Sequence, residues 1–149
     1  MDMFTILMAP TTIALTFFYL WWSGHKGNWA LLASKFPGMD TMGRELMKSA
    51  SPEGAYLLED EKWKGSGWNS MNITVYESAI VFEPTGLLKF LSKPVSIPWT
   101  AIRDVTFQSL FSVKKTTLEM PELDIKVLIS SKYFEVCKTQ CELERKIGN

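Results

Sequence analysis

The chain has 149 residues, with 16 Lys and Arg against 16 Asp and Glu, one His, two Cys and 46% hydrophobic residues. This length accommodates a single domain of roughly 100 to 150 residues. The hydrophobic fraction and the zero formal charge exclude an intrinsically disordered chain. The charge balance also argues against a nucleic-acid-binding protein, whose affinity comes from cations that displace phosphate counterions. Two Cys are too few for a disulfide scaffold.

The N-terminal segment is the most apolar part of the chain. Met3 to Trp22 is a run of 20 residues without a formal charge, which as a helix would span about 30 Å, the thickness of the hydrocarbon core of a bilayer. Residues 1–22 are therefore predicted to form a transmembrane helix. We expect four side chains at its C-terminal end to anchor it at the membrane–water interface: Tyr19, Trp21, Trp22 and Lys26.

Two alternatives to a transmembrane helix remain open, a cleaved signal peptide and a buried core helix. A signal peptide has a cationic start and a small-residue cleavage site, whereas this segment starts with Met1-Asp2 and ends with paired tryptophans. Lys26 and Lys35 follow the segment without an acidic residue between Ser23 and Met39. The positive-inside bias then predicts a single pass with the N-terminus outside and residues 23–149 in the cytoplasm.

One side of the predicted anchor carries small and hydroxylated side chains. At about 100° per residue, Thr5, Ala9, Thr12 and Thr16 fall within a stripe about 60° wide. Small residues let two helix backbones approach closely in lipid, so this stripe predicts packing against a second copy of the chain or another membrane protein. The alternative is that the threonine hydroxyls bond to carbonyl groups of their own helix and need no partner.

Residues 23–55 are predicted to be a juxtamembrane connector with one short helix. Trp29, Leu31, Leu32 and Phe36 form an apolar face that stops at Pro37-Gly38. Such a helix would either lie flat under the membrane or pack on the following domain. From Met39 to Glu53 the pattern is weakly periodic, and we expect a loop or a frayed helix.

After Tyr56, hydrophobic residues alternate with polar ones, as they do in half-buried strands. Turn residues separate these runs, which predicts a small antiparallel sheet. The alternating positions are Ile73 and Val75, Ile80 and Phe82, Val95, Ile97 and Trp99, Val105 and Phe107, and Leu123, Ile125, Val127 and Ile129. The separators are Gly65-Ser66-Gly67, Pro84-Thr85-Gly86, Ser92-Lys93-Pro94 and Met120-Pro121-Glu122.

The last segment is predicted to be a helix. Ser130 or Ser131 is expected to cap it, and Phe134, Cys137 and Cys141 share one face. Cations in its last turn suit the helix dipole.

The order of about seven strands followed by one helix resembles the pleckstrin-homology-like (PH-like) superfold, including its bacterial and GRAM branches. The most specific stretch is Val95-Ser96-Ile97-Pro98-Trp99-Thr100-Ala101-Ile102-Arg103-Asp104-Val105, in which a strand leads through Ile-Pro-Trp into a helical turn and then into the next strand. Many bacterial membrane-anchored PH-like domains look like this. The resemblance implies an α+β, mainly β fold: a transmembrane helix followed, over residues 56–149, by a small antiparallel PH-like β-barrel with a C-terminal capping helix.

The whole arrangement is also similar to short bacterial inner-membrane proteins, so the resemblance implies that membrane as the location. PH-like domains are mostly binding and scaffolding modules. Their lipid-binding pattern of clustered cations is missing, because no cation occurs between Lys64 and Lys89, and residues 59–149 hold 12 basic and 12 acidic residues. We therefore expect an accessory module that contacts the lipid bilayer and binds a membrane-protein partner.

A second interpretation is a carrier or sensor that holds a small apolar or lipid ligand inside the barrel. Against it, six aromatic side chains look sufficient to fill the interior: Trp63, Trp68, Trp99, Phe82, Phe90 and Phe107.

Catalytic and metal-binding residues are not predicted. The single histidine, His25, lies beside the predicted membrane edge without a partner for a proton relay. Ser112-Val113-Lys114-Lys115 matches Ser-x-x-Lys without the accompanying motifs of the enzymes that use it. Cys137 and Cys141 make an incomplete zinc site, and a packing role is expected. The sequence predicts no enzyme and no cofactor.

Overall fold

The computed structural model describes residues 10–19, 28–59, 62–86, 88–110 and 112–148. Strands make up most of the fold, and a long helix ends it, as the sequence predicts. The helices are α1 (residues 10–19), α2 (Asn28–Lys35), α3 (Leu88–Leu91) and α4 (Phe134–Ile147). The strands are β1 (Glu45–Lys48), β2 (Glu53–Glu59), β3 (Lys62–Tyr76), β4 (Ala79–Pro84), β5 (Val95–Pro98), β6 (Asp104–Leu110), β7 (Val113–Met120) and β8 (Ile125–Ser130). Short 3-10 turns cover Trp99–Ala101, Pro121–Leu123 and Ser131–Tyr133.

The strands form one antiparallel sheet in the order β5-β4-β3-β2-β8-β7-β6, and β1 pairs with the end of β3 beyond β2. Ser49, which lies between β1 and β2 in the sequence, continues the pairing with β3. Its N–H donates to the Ile73 carbonyl oxygen (2.8 Å), and its Oγ accepts the Ile73 N–H (3.0 Å). The four-residue strand β1 lies where the sequence predicted a loop or a frayed helix, because too few residues are present to show a period.

The sheet does not close, which corrects the prediction of a β-barrel. β5 and β6 are the two ends of the strand order, and among the described strands neither pairs with the other. The 3-10 turn at Trp99–Ala101 redirects the chain, so β6 pairs with β7 instead of β5. Helix α4 packs against β6 and against this turn. The N–H of Ser96 in β5 donates to the carbonyl oxygen of Phe36, just after α2 (3.0 Å).

The turn predicted at Gly65-Ser66-Gly67 is wrong, because these residues lie inside β3. The register of β2 against β3 shifts there, since Leu57 pairs with Ser66 while Leu58 pairs with Trp63. The strand therefore continues through a bulge. Glycine is common at bulges because it accepts their unusual backbone angles, so the same residues mark an irregularity in a strand instead of its end.

The core is built mainly from the strands and contains most of the predicted alternating residues. Ile73, Ile80, Phe82, Ile97 and Val127 are fully buried, and Trp99 is 1% exposed. Two of the aromatic residues expected to fill the interior are outside it. Phe90, on α3 in the loop between β4 and β5, is 84% exposed, and Phe107 on β6 is 41% exposed.

Helix α2 packs on the sheet, which settles the two alternatives for this segment. Trp29 is 3% exposed and Leu32 is fully buried, and both belong to the main hydrophobic core. The rings of Trp29 and Phe82 lie 5.6 Å apart. Residues from the predicted connector 23–55 thus contribute α2 and β1 to the same core as the later strands.

Helix α1 exposes its large apolar side chains. Those exposed by 48 to 66% are Ile13, Leu15, Phe17, Phe18 and Tyr19. Within the described parts of the chain, we find no helix with both the length and the hydropathy needed to cross a membrane. Residues 1–9 and 20–22 of the predicted transmembrane helix lie outside the described residues.

Paired substitutions test the docking of α2. Leu32→Ala removes a fully buried side chain and should lower the free energy of unfolding by about 2 to 5 kcal/mol. Leu31 lies on the same helix and is 47% exposed, so Leu31→Ala should change the free energy of unfolding by less than about 1 kcal/mol. Urea denaturation of the full chain in detergent micelles measures both, and equal losses would contradict the packing of α2 on the sheet.

Candidate docking surface

Helix α4 lies along β6 and buries one face against it. Cys137 is fully buried and Cys141 is 3% exposed. The Cys141 thiol donates to the Ile102 carbonyl oxygen (3.4 Å), and Arg145 near the end of the helix lies 3.6 Å from the Asp104 carboxylate. The predicted shared face of α4 is therefore confirmed for the two cysteines. The predicted serine cap is wrong, because a 3-10 turn precedes α4 and Ser130 makes no side-chain capping bond to it.

The two thiols belong to the core. Burial raises the pKa of Cys137 to about 12, with a smaller contribution from Cys141. Burial also raises the pKa of Cys141, although the Arg145 guanidinium opposes the shift. Both groups stay protonated at neutral pH, and thiols in that state are poor nucleophiles and metal ligands. No group of three His, Cys, Asp or Glu within the described ranges is arranged to hold a metal.

A buried phenol joins the start of α4 to the strands. Tyr133 is fully buried, and first its burial and then the Glu53 carboxylate raise the pKa of its hydroxyl. The Glu53 carboxylate also pairs with Lys132. A phenol with a raised pKa does not act as a base near neutral pH, so this cluster is suited to holding α4 in place.

β6 presents one edge that faces away from β7. The N–H of Val105, near the start of β6, bonds to Asp104 Oδ1 (2.9 Å). Backbone groups alternate in direction along an antiparallel strand, so those of Val105, Phe107 and Ser109 point to the outer edge. None of the described strands pairs with this edge.

Exposed apolar side chains and lysines flank the outer edge of β6. The rings of Phe107 and Phe134 are stacked, with centroids 3.9 Å apart and an interplanar angle of 19°. The Nζ of Lys114 lies 3.9 Å above the Phe107 ring. We call this the β6 edge surface; it comprises Phe107, Ser109, Lys114 and Phe134.

The β6 edge surface is suited to an extended peptide segment. Its backbone edge supplies hydrogen-bonding groups, the stacked rings supply an apolar contact, and Lys114 supplies a positive charge beside them. Lys138 lies on the same side, with its Nζ 5.4 Å from the Phe134 ring centroid. A matching segment would carry alternating apolar side chains and a carboxylate.

The structure describes only part of the residue set that the sequence predicted as a site. Thr12, Thr16 and Tyr19 are exposed on α1. The Thr16 hydroxyl donates to the Thr12 carbonyl oxygen (2.8 Å), as in the alternative without a packing partner. Five predicted residues lie outside the described ranges: Thr5, Ala9, Trp21, Trp22 and Lys26. Packing through the stripe stays a prediction.

The sequence did not predict the β6 edge surface. The alternation of Val105 and Phe107 indicated a strand with both side chains inside, and nothing in it distinguished an edge strand from a central one.

Thiol reactivity tests the packing of α4. In the folded full chain, Cys137 and Cys141 should react with a disulfide reagent at pH 8 at least about 100-fold more slowly than after denaturation, because both are buried and their pKa values are raised. Ile147→Cys, at a position that is 79% exposed near the end of α4, should add one thiol that reacts at once. Rapid reaction of the two native thiols in the folded protein would contradict this packing.

Comparison with known proteins supports the fold. No family model and no curated protein matches the chain. Among solved structures, the Vps36 N-terminal PH domain aligns with a TM-score of 0.53 and 8% sequence identity, over 74% of this chain and 94% of that domain. Identity this low reports the fold alone. The described chain therefore has a PH-like fold, a mainly β antiparallel sheet with a C-terminal helix.

Proposed function

We propose that this chain is a membrane-tethered PH-like module that binds an extended segment of a membrane-protein partner on the β6 edge surface. The observation that carries the proposal is the outer edge of β6, whose backbone groups lie beside the stacked rings of Phe107 and Phe134. An extended peptide that adds a strand to such an edge gains backbone hydrogen bonds, and alternate side chains gain pockets or platforms.

The tether is the apolar N-terminal segment. Ile13 and Leu15 of α1 are 58% and 65% exposed, so the folded part of the chain does not cover them. Burial of apolar area is worth roughly 25 cal/mol per Å², and a bilayer supplies it for a segment without charges. In this proposal residues 1–22 cross a bacterial inner membrane once, the N-terminus lies outside and the PH-like fold lies in the cytoplasm.

Tethering explains how the small β6 edge surface would suffice to bind the partner. Confining the module and its partner to one membrane replaces encounter in solution by an effective concentration of about millimolar, so weak contacts give stable association. The stripe of Thr5, Ala9, Thr12 and Thr16 would add a helix contact with the same partner inside the bilayer.

An accessory role fits the chemistry of the described side chains better than catalysis. Burial raises the pKa values of Tyr133, Cys137 and Cys141, so these groups stay protonated near neutral pH. PH-like folds commonly mediate protein or lipid binding, although fold alone does not decide function.

Site-specific crosslinking in intact cells tests the proposal. A photoreactive aromatic residue replaces Phe107, which is 41% exposed, and the full chain is crosslinked, washed at alkaline pH and solubilised in detergent. We expect the chain to stay with the membranes and to form one discrete crosslinked species. Ser109→Pro should reduce that species at least about tenfold, because proline removes an N–H of the outer edge.

Ser109→Ala is the matched control, since it removes the hydroxyl and keeps the N–H, and it should leave the crosslinked species unchanged. Ser109→Pro must retain the cooperative urea transition of the wild type, which is expected because the Ser109 N–H does not bond to β7. Release of the wild type by the alkaline wash would contradict the tether. Equal crosslinking of both Ser109 variants would contradict binding at the β6 edge.

A further inference from the structure

The loop between β4 and β5 carries the most exposed large hydrophobic side chain of the described fold. Phe90 is 84% exposed, on the short helix α3. Gly86, with φ at +59°, allows the sharp turn that leads into this loop. The ring is therefore free to contact an apolar surface outside the fold, where its burial would be favourable.

Two cations flank Phe90. Lys89 and Lys93 are exposed, and one acidic residue, Glu83 near the end of β4, lines the same cleft as Lys89. An aromatic ring between lysines is the combination that settles at an anionic bilayer surface, where the ring enters the interface and the cations meet phosphate groups. The domain as a whole is neutral, so this field is local to the loop.

Helix α2 shows which end of the fold the N-terminal segment enters. Phe82 lies two residues before the end of β4 and pairs with Val95, the first residue of β5, so this pair borders the loop between the two strands. The rings of Trp29 and Phe82 lie 5.6 Å apart, and the Ser96 N–H donates to the Phe36 carbonyl oxygen just after α2 (3.0 Å). The chain therefore enters the fold at the end that carries Phe90.

The length of the connection limits how far this end can be from the membrane. Five residues, 23–27, separate Trp22 at the end of the predicted anchor from Asn28 at the start of α2. A fully extended chain covers at most about 3.6 Å per residue, so Asn28 lies within about 20 Å of the interface. A tether this short keeps α2, and the loop beside it, within reach of the headgroups.

We infer that the loop between β4 and β5 is a second membrane contact, in which Phe90 enters the interface of a bilayer containing anionic lipids and Lys89 and Lys93 bind headgroup phosphates. This inference rests on the proposed tether. It orients the fold on the membrane, with α2 and this loop towards the lipid. The turn at Glu77, between β3 and β4, is directed away from the lipid. It lies next to a groove that Leu46 and Ile147 line.

Fluorescence in reconstituted vesicles tests this contact. The Phe90→Cys variant is labelled with an environment-sensitive dye; the label is selective for position 90 because Cys137 and Cys141 are buried. The full chain is then reconstituted in vesicles of phosphatidylcholine with or without phosphatidylglycerol. We expect nitroxide-labelled lipids to quench the dye, more strongly with phosphatidylglycerol. Adding Lys89→Glu and Lys93→Glu should lower the quenching at least about twofold. The matched control is Ile147→Cys, 79% exposed beside the Glu77 turn, where quenching should be absent.

The outcomes separate this inference from the proposed tether. If the chain stays in the vesicles after an alkaline wash but the dye at position 90 is quenched no more than the dye at position 147, the loop does not contact lipid and the tether stands. The inference is also overturned if quenching of the dye at position 90 changes neither with phosphatidylglycerol nor with the two lysine substitutions. If the wash releases the chain, the tether fails and the loop contact fails with it.

Discussion

The failure of the sheet to close determines most of what this molecule presents to its surroundings. The turn at Trp99–Ala101 sends the chain away from β5, so the sheet ends with two edges that need cover. The backbone after α2 bonds to Ser96 on β5, and α4 lies against β6. The cover of β6 is partial, because α4 begins at Phe134, beside Phe107, and the strand continues to Leu110. The accessible edge is what remains beyond the helix.

The same constraint gives the two ends of the fold different roles. At one end of β4, α2 packs beside the loop with Phe90, and the chain from the apolar segment enters there. α4 covers the side of β6, and its buried cysteines and Tyr133 fix it against the sheet. In the proposed arrangement the first end faces the membrane, and the β6 edge surface is open to a segment of a partner held in the same bilayer.

Alternation in the sequence predicted where most strands lie, because a half-buried strand must place every second side chain in the core; Ile73, Ile80, Ile97 and Val127 are buried accordingly. The stretch from Val95 to Val105 also predicted the turn between β5 and β6. Alternation does not show how far the neighbouring elements cover a strand. It therefore predicted that Phe107 is buried, although this side chain is 41% exposed. Nor does it separate a bulge from a turn, as at Gly65, and it carries no information on strand order, on which the outer edge of β6 depends.

Residue-resolved hydrogen exchange of the full chain in detergent micelles tests the open sheet most directly. The amides of Thr106 and Gln108 face β7 and should exchange slowly, and Ser96 should be protected by its bond to Phe36. The amides of Phe107 and Ser109 should exchange at least about 100-fold faster than those of Thr106 and Gln108, since they lie on the outer edge. Equal protection of all four β6 amides would mean that another element pairs with this edge, and it would contradict the account.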